Sequence, residues 1–393
     1  MATTPFAGLD ARHYALPEDF GRRFLTPALV IYRDRVRSNL AWMKSRMGDD
    51  IRRWRPHVKT TKIPAVFEEI AGAGIRHFKA ATTRETSQLL ATLRATGIEG
   101  PDVCLAYPLR GAALARLGDL AQMYSKARVS VLVEDLQVLD QLPPKVDAFI
   151  DINPGMNRTG IPLDQRERIA QLVQGCGSRL RGLHYYDGHL HSGTDAERRA
   201  LAWAGYDGLM ELHAYLGLAG RDLEIITSGT PTFMHALAYP GFGDLAPSRQ
   251  RVSPGTVVYH DLRSEEENPK LMLSPAALIV AQVISHPTDD LATCDAGSKS
   301  IAAEAGDPCA AVLGRPEWVP ETPSEEHLPL RVLRGPLPAR GSLVHLIPRH
   351  VCPTINLAEE AVIVEGGQVQ DVVAVSARAH DLRAPQRSDL KSC

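Results

Sequence analysis

Arg55-Pro56-His57-Val58-Lys59-Thr60-Thr61-Lys62 is the stretch that decides how the rest of the chain reads. A β-compatible segment begins at Trp54 and stops at a lysine followed by threonines. Ile63-Pro64 then opens an amphipathic helix. Lys59 therefore sits at the C-terminal end of a strand. In a (β/α) architecture reactive groups collect at that end, because the loops vary there while the strands hold their bases rigid. Lysine is also the side chain that forms an imine with an aldehyde, which makes a buried lysine at such a point a candidate for pyridoxal phosphate. Taken alone, a strand-end lysine is more often solvated surface than catalyst.

Outward from this stretch the pattern repeats as strand, turn, helix. Strands are expected over 54–59, 77–82, 102–107, 129–133, 148–152, 180–186, 224–228 and 251–259, with helical periodicity over 84–95, 162–174 and 196–216. Thr83, Asp135 and Asp195 are suited to cap such helices. Eight strands alternating with helices predict a (β/α)8 barrel, although an open doubly wound sheet would give the same string. An earlier strand over 28–32 precedes a helix over 34–47, and residues 1–25 have no period and read as an N-terminal arm. After Pro269 the texture changes to short β-rich runs (278–284, 291–295, 328–332, 343–347, 360–364 and 370–376) between Gly and Pro turns. The expected organisation is thus an arm (1–25), a barrel (26–268), a C-terminal all-β domain (269–378) and a disordered tail (379–393) holding Arg387, Ser388 and Lys391, with 314–327 a surface loop.

With 393 residues there is ample material for a barrel of about 250 residues and a smaller second domain. A formal net charge of -2 and 23% charged residues exclude a strong field for nucleic acid or an anionic membrane. Six scattered cysteines without a CxxC pair suit a reducing compartment. No apolar run reaches the length of a membrane span and the N-terminus carries no leader pattern, so a cytoplasmic enzyme acting on a small molecule is expected.

Four further groups of residues carry chemistry. Thr227-Ser228-Gly229-Thr230-Pro231-Thr232 follows the seventh barrel strand, where barrels commonly bind phosphate. Its glycine permits close backbone approach and its hydroxyls suit an anion, though the same residues also read as a helix cap with a turn. Gly155-Met156-Asn157-Arg158-Thr159-Gly160 offers a glycine-flanked guanidinium after strand five, and taken alone reads more readily as a surface turn with a solvated arginine. Tyr185-Tyr186-Asp187-Gly188-His189-Leu190-His191 closes strand six with polar aromatic groups. His350-Val351-Cys352-Pro353-Thr354 lies in the β domain, and in a strand its imidazole and thiolate would point to one face and meet one ion.

The Arg-Pro-His-x-Lys-Thr motif together with these segments resembles the D-threonine aldolase and D-serine dehydratase group, relatives of alanine racemase, from Thr26-Pro27 to about Arg378. The resemblance implies the barrel rather than the open sheet, with the strand over 28–32 belonging to the second domain. It implies that Lys59, not Lys62, carries pyridoxal 5'-phosphate. Ser228, Gly229 and Thr230, with Gly255 and Thr256 of Ser253-Pro254-Gly255-Thr256, would hold the phosphate, and Arg158 would lie near the phenolic oxygen. The family usually has a tyrosine directly after the Pro-Gly-x triplet, whereas here Val257 precedes Val258 and Tyr259. Tyr186 and His189 become site candidates, with His191 a lesser one.

Pro348-x-His350-x-Cys352-x-Thr354 matches the pattern of the D-serine dehydratase branch and implies zinc on His350 and Cys352. Aldolase members usually have an aspartate in place of Cys352, an oxygen ligand that suits manganese or magnesium. The expected function is therefore a zinc-dependent lyase removing water, then ammonia, from a D-β-hydroxy amino acid such as D-serine or D-threo-3-hydroxyaspartate. The alternative is an aldolase giving glycine and an aldehyde; a racemase would need a second base that the sequence does not identify. Relatives imply a homodimer.

Overall fold

The computed structural model describes residues 6, 9–48, 50–243, 245 and 249–382. The expected tail beyond residue 382 lies outside them. The described residues divide into two units, one drawn from 47–59, 70–255 and 379–382, the other from 6, 9–46, 60–69 and 256–378.

The first unit is a parallel barrel. Strands His77–Ala80, Asp102–Pro108, Arg128–Val133, Val146–Asn153, Leu180–Tyr185, Glu224–Thr227 and Gln250–Val252 pair in parallel one after another, with register shifts between Leu105 and Pro108 and between Ala148 and Phe149. These segments are rich in Val, Ile and Leu and buried on both faces, as parallel strands under helices require. Residues 54–58 close the ring: Trp54 bridges Val252, and His57 bridges Lys79, both in parallel. Arg55 N–H donates to the Val252 carbonyl (2.9 Å), Val58 N–H to Lys79 (2.8 Å) and Lys79 N–H to Pro56 (2.9 Å). Pro56 has no N–H to give, so this eighth stave is held by few bonds, in keeping with proline's place at the margins of ladders. Cys104, Leu132, Phe149 and Ile226 fill the barrel interior.

Helices Thr83–Ala95, Gly111–Met123, Leu136–Gln141, Arg166–Cys176 and Asp195–Tyr215 alternate with the strands. Their caps are Thr82 for the first, Asp135 for the third and a Thr194–Glu197 capping box for the last. Thr82 and Thr194 each lie one residue before the cap expected from sequence. The strand expected over 251–259 ends at Val252, because Pro254 cannot donate to a ladder and Thr256–Val258 turns as a 3-10 helix.

The second unit is a largely antiparallel sheet. Ala277–Thr288 pairs with Ala28–Tyr32, with Leu291–Cys294 and with Leu343–Pro348, while Glu360–Glu365 lies parallel to Ala28–Tyr32. The strand over 28–32 thus belongs to this unit, as the resemblance implied, and residues 256–268 cluster with it rather than with the barrel. Two expectations are corrected here. Residues 1–25 are not a loose arm over their described part: Tyr14 and Phe20 are buried in the core with Val30, Tyr32, Leu278, Val280 and Ile347. Nor is 314–327 wholly a loop, since Trp318–Pro320 pairs with Leu328–Val332. In both, apolar side chains that are too few to set a period are still enough to bury a face.

Candidate active site

The C-terminal ends of the barrel strands carry most of the expected residues. The half-buried Lys59 follows the eighth stave in a turn, its N–H donating to His57 Nδ1 (3.3 Å). Tyr186 follows strand Leu180–Tyr185, and its ring is the centre of the arrangement. A Cβ on Gly188 would fall 2.3 Å from that ring and one on Gly229 2.9 Å, so both glycines make room for it. Two cations face the same ring, Arg158 and Lys79, each 5.0 Å from its centroid.

Arg158 is exposed in the loop after Val146–Asn153, where Asn153 Oδ1 accepts from the N–H groups of Gly155 and Asn157 (both 3.0 Å) and shapes the turn. His189 leaves its buried Nδ1 without a partner. Ser228 stands in the left-handed region (φ 57°) with its hydroxyl buried and unpaired, and the hydroxyl of Ser253 on the neighbouring strand end is unpaired as well. Gly229 is buried, and its carbonyl accepts from Thr232 N–H (3.3 Å) and Phe233 N–H (3.1 Å). Thr230 is half-buried and Gly255 buried.

The loop is fixed from below by Asp187, a fully buried carboxylate that accepts from Tyr206 Oη and Thr232 Oγ1, both at 2.6 Å. Burial raises its pKa, against the pull of those two hydroxyls.

The expected metal pair lies in the other unit, on a different element from the one predicted. His350 and Cys352 do not share a strand face: Val351–Leu357 is a helix, His350 is its N-cap, and Cys352 is its second residue. Pro353 in the first turn is compatible with a helix, and Asp261 Oδ2 accepts the otherwise free Val351 N–H at 3.0 Å. The two side chains still meet. Burial acts to lower the His350 pKa, but the hydrogen bond to Cys352 and the charges of Cys352 and Asp261 outweigh it and the net shift is upward. Cys352 Sγ lies 3.1 Å from Thr60 Oγ1 and 3.7 Å from Thr256 Oγ1, so Thr256 touches the thiol rather than serving only an anion loop. Tyr259 is fully buried and donates to the Thr61 carbonyl (3.0 Å), which commits it to holding the turn after Lys59.

One further cluster has the composition of a metal site. His77, Asp102 and Glu224 come together at the opposite, N-terminal end of the barrel. Arginines already occupy it. Arg55 donates to Asp102 (2.8 Å) and Glu224 (2.7 Å), Arg181 to Asp102 (2.8 Å) and Glu224 (2.7 Å), and Arg251 to Glu224 (2.6 Å). Two carboxylates against three guanidinium groups leave net positive charge, which repels a cation.

The sequence reading missed three interior residues, Lys79, His184 and Asp151, and gave Ser253 only as the start of the second phosphate segment. A lone polar residue inside an apolar run was the available signal in Phe78-Lys79-Ala80, Ile150-Asp151-Ile152 and Leu183-His184-Tyr185.

The model for the alanine racemase N-terminal domain matches residues 31–259, and the serine dehydratase domain model matches 276–364. A D-threonine aldolase from Arthrobacter sp is 28% identical over 93% of this chain and 95% of its own length. A D-threo-3-hydroxyaspartate dehydratase from Delftia sp. (strain HT23) is 25% identical over 72% of this chain and 73% of its own. The crystal structure of D-threonine aldolase from Filomicrobium marinum superposes with a TM-score of 0.76 at 27% identity, covering 90% of this chain and 96% of that one. With the first model spanning more than half of the residues and a barrel of that architecture closed by the stave before Lys59, the chain belongs to the alanine racemase N-terminal domain family.

Proposed function

We propose that the protein is a pyridoxal phosphate- and zinc-dependent dehydratase of D-configured β-hydroxy amino acids such as D-serine or D-threo-3-hydroxyaspartate, and that it works as a homodimer. The residues fit the cofactor. Lys59 offers the amine, and the unpaired buried hydroxyls of Ser228 and Ser253 are donors waiting for an acceptor beside Gly229, Thr230 and Gly255. The cofactor, when bound, supplies an electron sink at the substrate's α-carbon. Lys59 Nζ takes the α-proton, Arg158 and Tyr186 set the electrostatics of the ring site, and His189 Nδ1 is free to orient a polar group.

The observation that favours elimination is the pairing of an imidazole with a thiol at His350 and Cys352. Nitrogen and sulfur donors suit zinc better than magnesium or manganese, and two protein ligands leave positions open for water or a hydroxyl oxygen. Such a metal supplies Lewis acidity for a hydroxide that leaves with its electron pair. An aldolase is the second reading, favoured by the fuller coverage and higher identity of the Arthrobacter relative.

Incubation with D-serine, D-threonine and D-3-hydroxyaspartate separates them. The dehydratase releases ammonia and a keto acid in equal amounts; glycine and an aldehyde as main products would establish the aldolase instead. A chelator should stop turnover while the visible cofactor absorption persists, and added zinc should restore it. Full activity in protein shown by elemental analysis to be free of metal contradicts the metal assignment.

A further inference from the structure

His350 and Cys352 stand at the start of the helix Val351–Leu357, and that helix has no cap of its own, because the His350 side chain makes no bond to its first turn. A residue at the N-cap ordinarily spends its side chain on the free N–H groups there. Here that work falls to Asp261, 90 residues earlier in the chain and 1% exposed. Its Oδ2 accepts the Val351 N–H (3.0 Å), while its Oδ1 accepts the Ser264 N–H (2.8 Å) and so caps its own helix, Leu262–Glu267. The His350 imidazole is thereby left for another partner.

Further bonds bracket the same peptide. Arg263 N–H donates to the Arg349 carbonyl (3.0 Å), so the turn after Asp261 runs against the residue before His350. Thr354 Oγ1 donates to the His350 carbonyl (2.9 Å) and accepts the Ala302 N–H (3.2 Å). Val351, between the two candidate ligands, is fully buried. As a plain cap Asp261 would need only the oxygen given to Ser264. Its second oxygen is committed to the one peptide that joins His350 to Val351.

We propose that Asp261 is the positioning residue of the metal pair: by holding the His350–Val351 peptide through Oδ2, it sets the directions from which the His350 imidazole and the Cys352 sulfur reach one ion. This rests on His350 and Cys352 being the zinc ligands. Asp261 acts through the backbone and is not a ligand itself, since both of its oxygens are taken. Partners that orient metal ligands in this way are typically worth about 10- to 100-fold in metal affinity.

The test is zinc affinity of the full-length protein loaded with pyridoxal phosphate, dialysed against zinc buffered by a chelator and read by elemental analysis. Asp261→Ala loses both bonds and should bind zinc about 10- to 100-fold more weakly than the wild type. Should that variant not fold, Asp261→Ser decides. Serine caps its own helix as well as aspartate does, but its single short oxygen cannot serve Val351 too, so the same loss of about 10- to 100-fold is expected. Asp135→Ala removes an equivalent cap, the acceptor of the Val138 N–H (3.0 Å), from a helix of the barrel unit and should bind zinc as the wild type does. Zinc X-ray absorption gives a readout that a merely structural cap would not move. The wild type should show a sulfur neighbour at about 2.3 Å, and Asp261→Ser filled at higher zinc should show it weakened or lost. An affinity in Asp261→Ser within about twofold of the wild type, with the sulfur neighbour kept, overturns the proposal. If the wild type shows no sulfur neighbour, or Cys352→Ala binds zinc as tightly as the wild type, the assignment of the ligands itself falls and this proposal with it.

Discussion

The two ends of the barrel bury polar groups in opposite ways. At the N-terminal end Arg55, Asp102, Arg181, Glu224 and Arg251 interlock, and each carboxylate oxygen is met by a guanidinium. Arg55 and Arg181 also lie 5.7 and 6.0 Å from the centroid of Phe149, which seals the cluster from above. At the C-terminal end, Ser228, Ser253 and His189 keep buried polar atoms with no partner among the described residues. At the closed end every carboxylate oxygen is satisfied although Arg55 Nε and Arg181 Nη1 are without a hydrogen-bond partner, whereas the unpaired hydroxyls and imidazole of the open end carry a penalty that a ligand can relieve. One end is built to stay closed and the other to be completed from outside.

Breaking the closed end should have the larger effect on stability. Arg55→Met leaves Asp102 and Glu224 short of a partner in the interior and should lower unfolding free energy by about 3–5 kcal/mol in a denaturant titration. A loss under 1 kcal/mol would mean that the cluster is not the staple it resembles. The open end predicts the reverse. Ser228→Ala and Ser253→Ala remove unpaired hydroxyls, so stability should hold or rise while affinity for pyridoxal phosphate falls about tenfold or more, as loss of a hydrogen bond to a charged group implies. Affinity for pyridoxal, which lacks the phosphate, should be unchanged in a parallel titration. Equal losses for both compounds would show that the serines shape the fold rather than the anion site.

Acid titration sharpens the contrast further, with a smaller effect. Burial holds His77 and His184 down to about 4 in the folded protein, against about 6.5 in an unfolded chain. Between those values the unfolded chain binds the extra protons, so stability rises with pH from about 4 to 6.5 and is lost as pH falls through that window. Asp102 and Glu224 are shifted downward, their burial outweighed by Arg55 and its neighbours, so their contribution is lost only at still lower pH. His77→Gln should flatten the slope between pH 6.5 and 4 by up to about 1.4 kcal/mol per pH unit. No change in slope would place the His77 proton in both states alike.

The alternation of strand and helix was legible because the strands are short apolar runs punctuated at regular spacing, a signal that survives even where pairing is thin, as at 54–58; the choice of a closed barrel over an open sheet came from the resemblance. The motif residues on loops at one end were singled out through their resemblance to a family, since a strand-end lysine, hydroxyls and glycines read equally well alone as solvated surface, caps and turns. The His350–Cys352 pair was legible as chemistry but not as geometry. Val351, Thr354 and Ile355 favour a strand by propensity, and the helix is set instead by Asp261, 90 residues away, accepting the Val351 N–H. The hydrogen-bonded Asp151–His184–Lys79 chain is assembled from three strands, and no spacing in a single sequence places those side chains together. Tyr14 and Phe20 were read as an arm because a handful of apolar residues in 3-10 and helical turns has no period to detect.

Of the lysines Lys59, Lys62 and Lys79, the first is the one expected to bind the cofactor. Reduction of the loaded protein with borohydride fixes the pyridoxyl group on whichever lysine holds it, and peptide mapping by mass spectrometry then reads the position. The adduct is expected on Lys59, with Lys62→Ala labelled to the same extent as the wild type. An adduct on Lys62 or Lys79, or labelling that persists in Lys59→Ala, would contradict it.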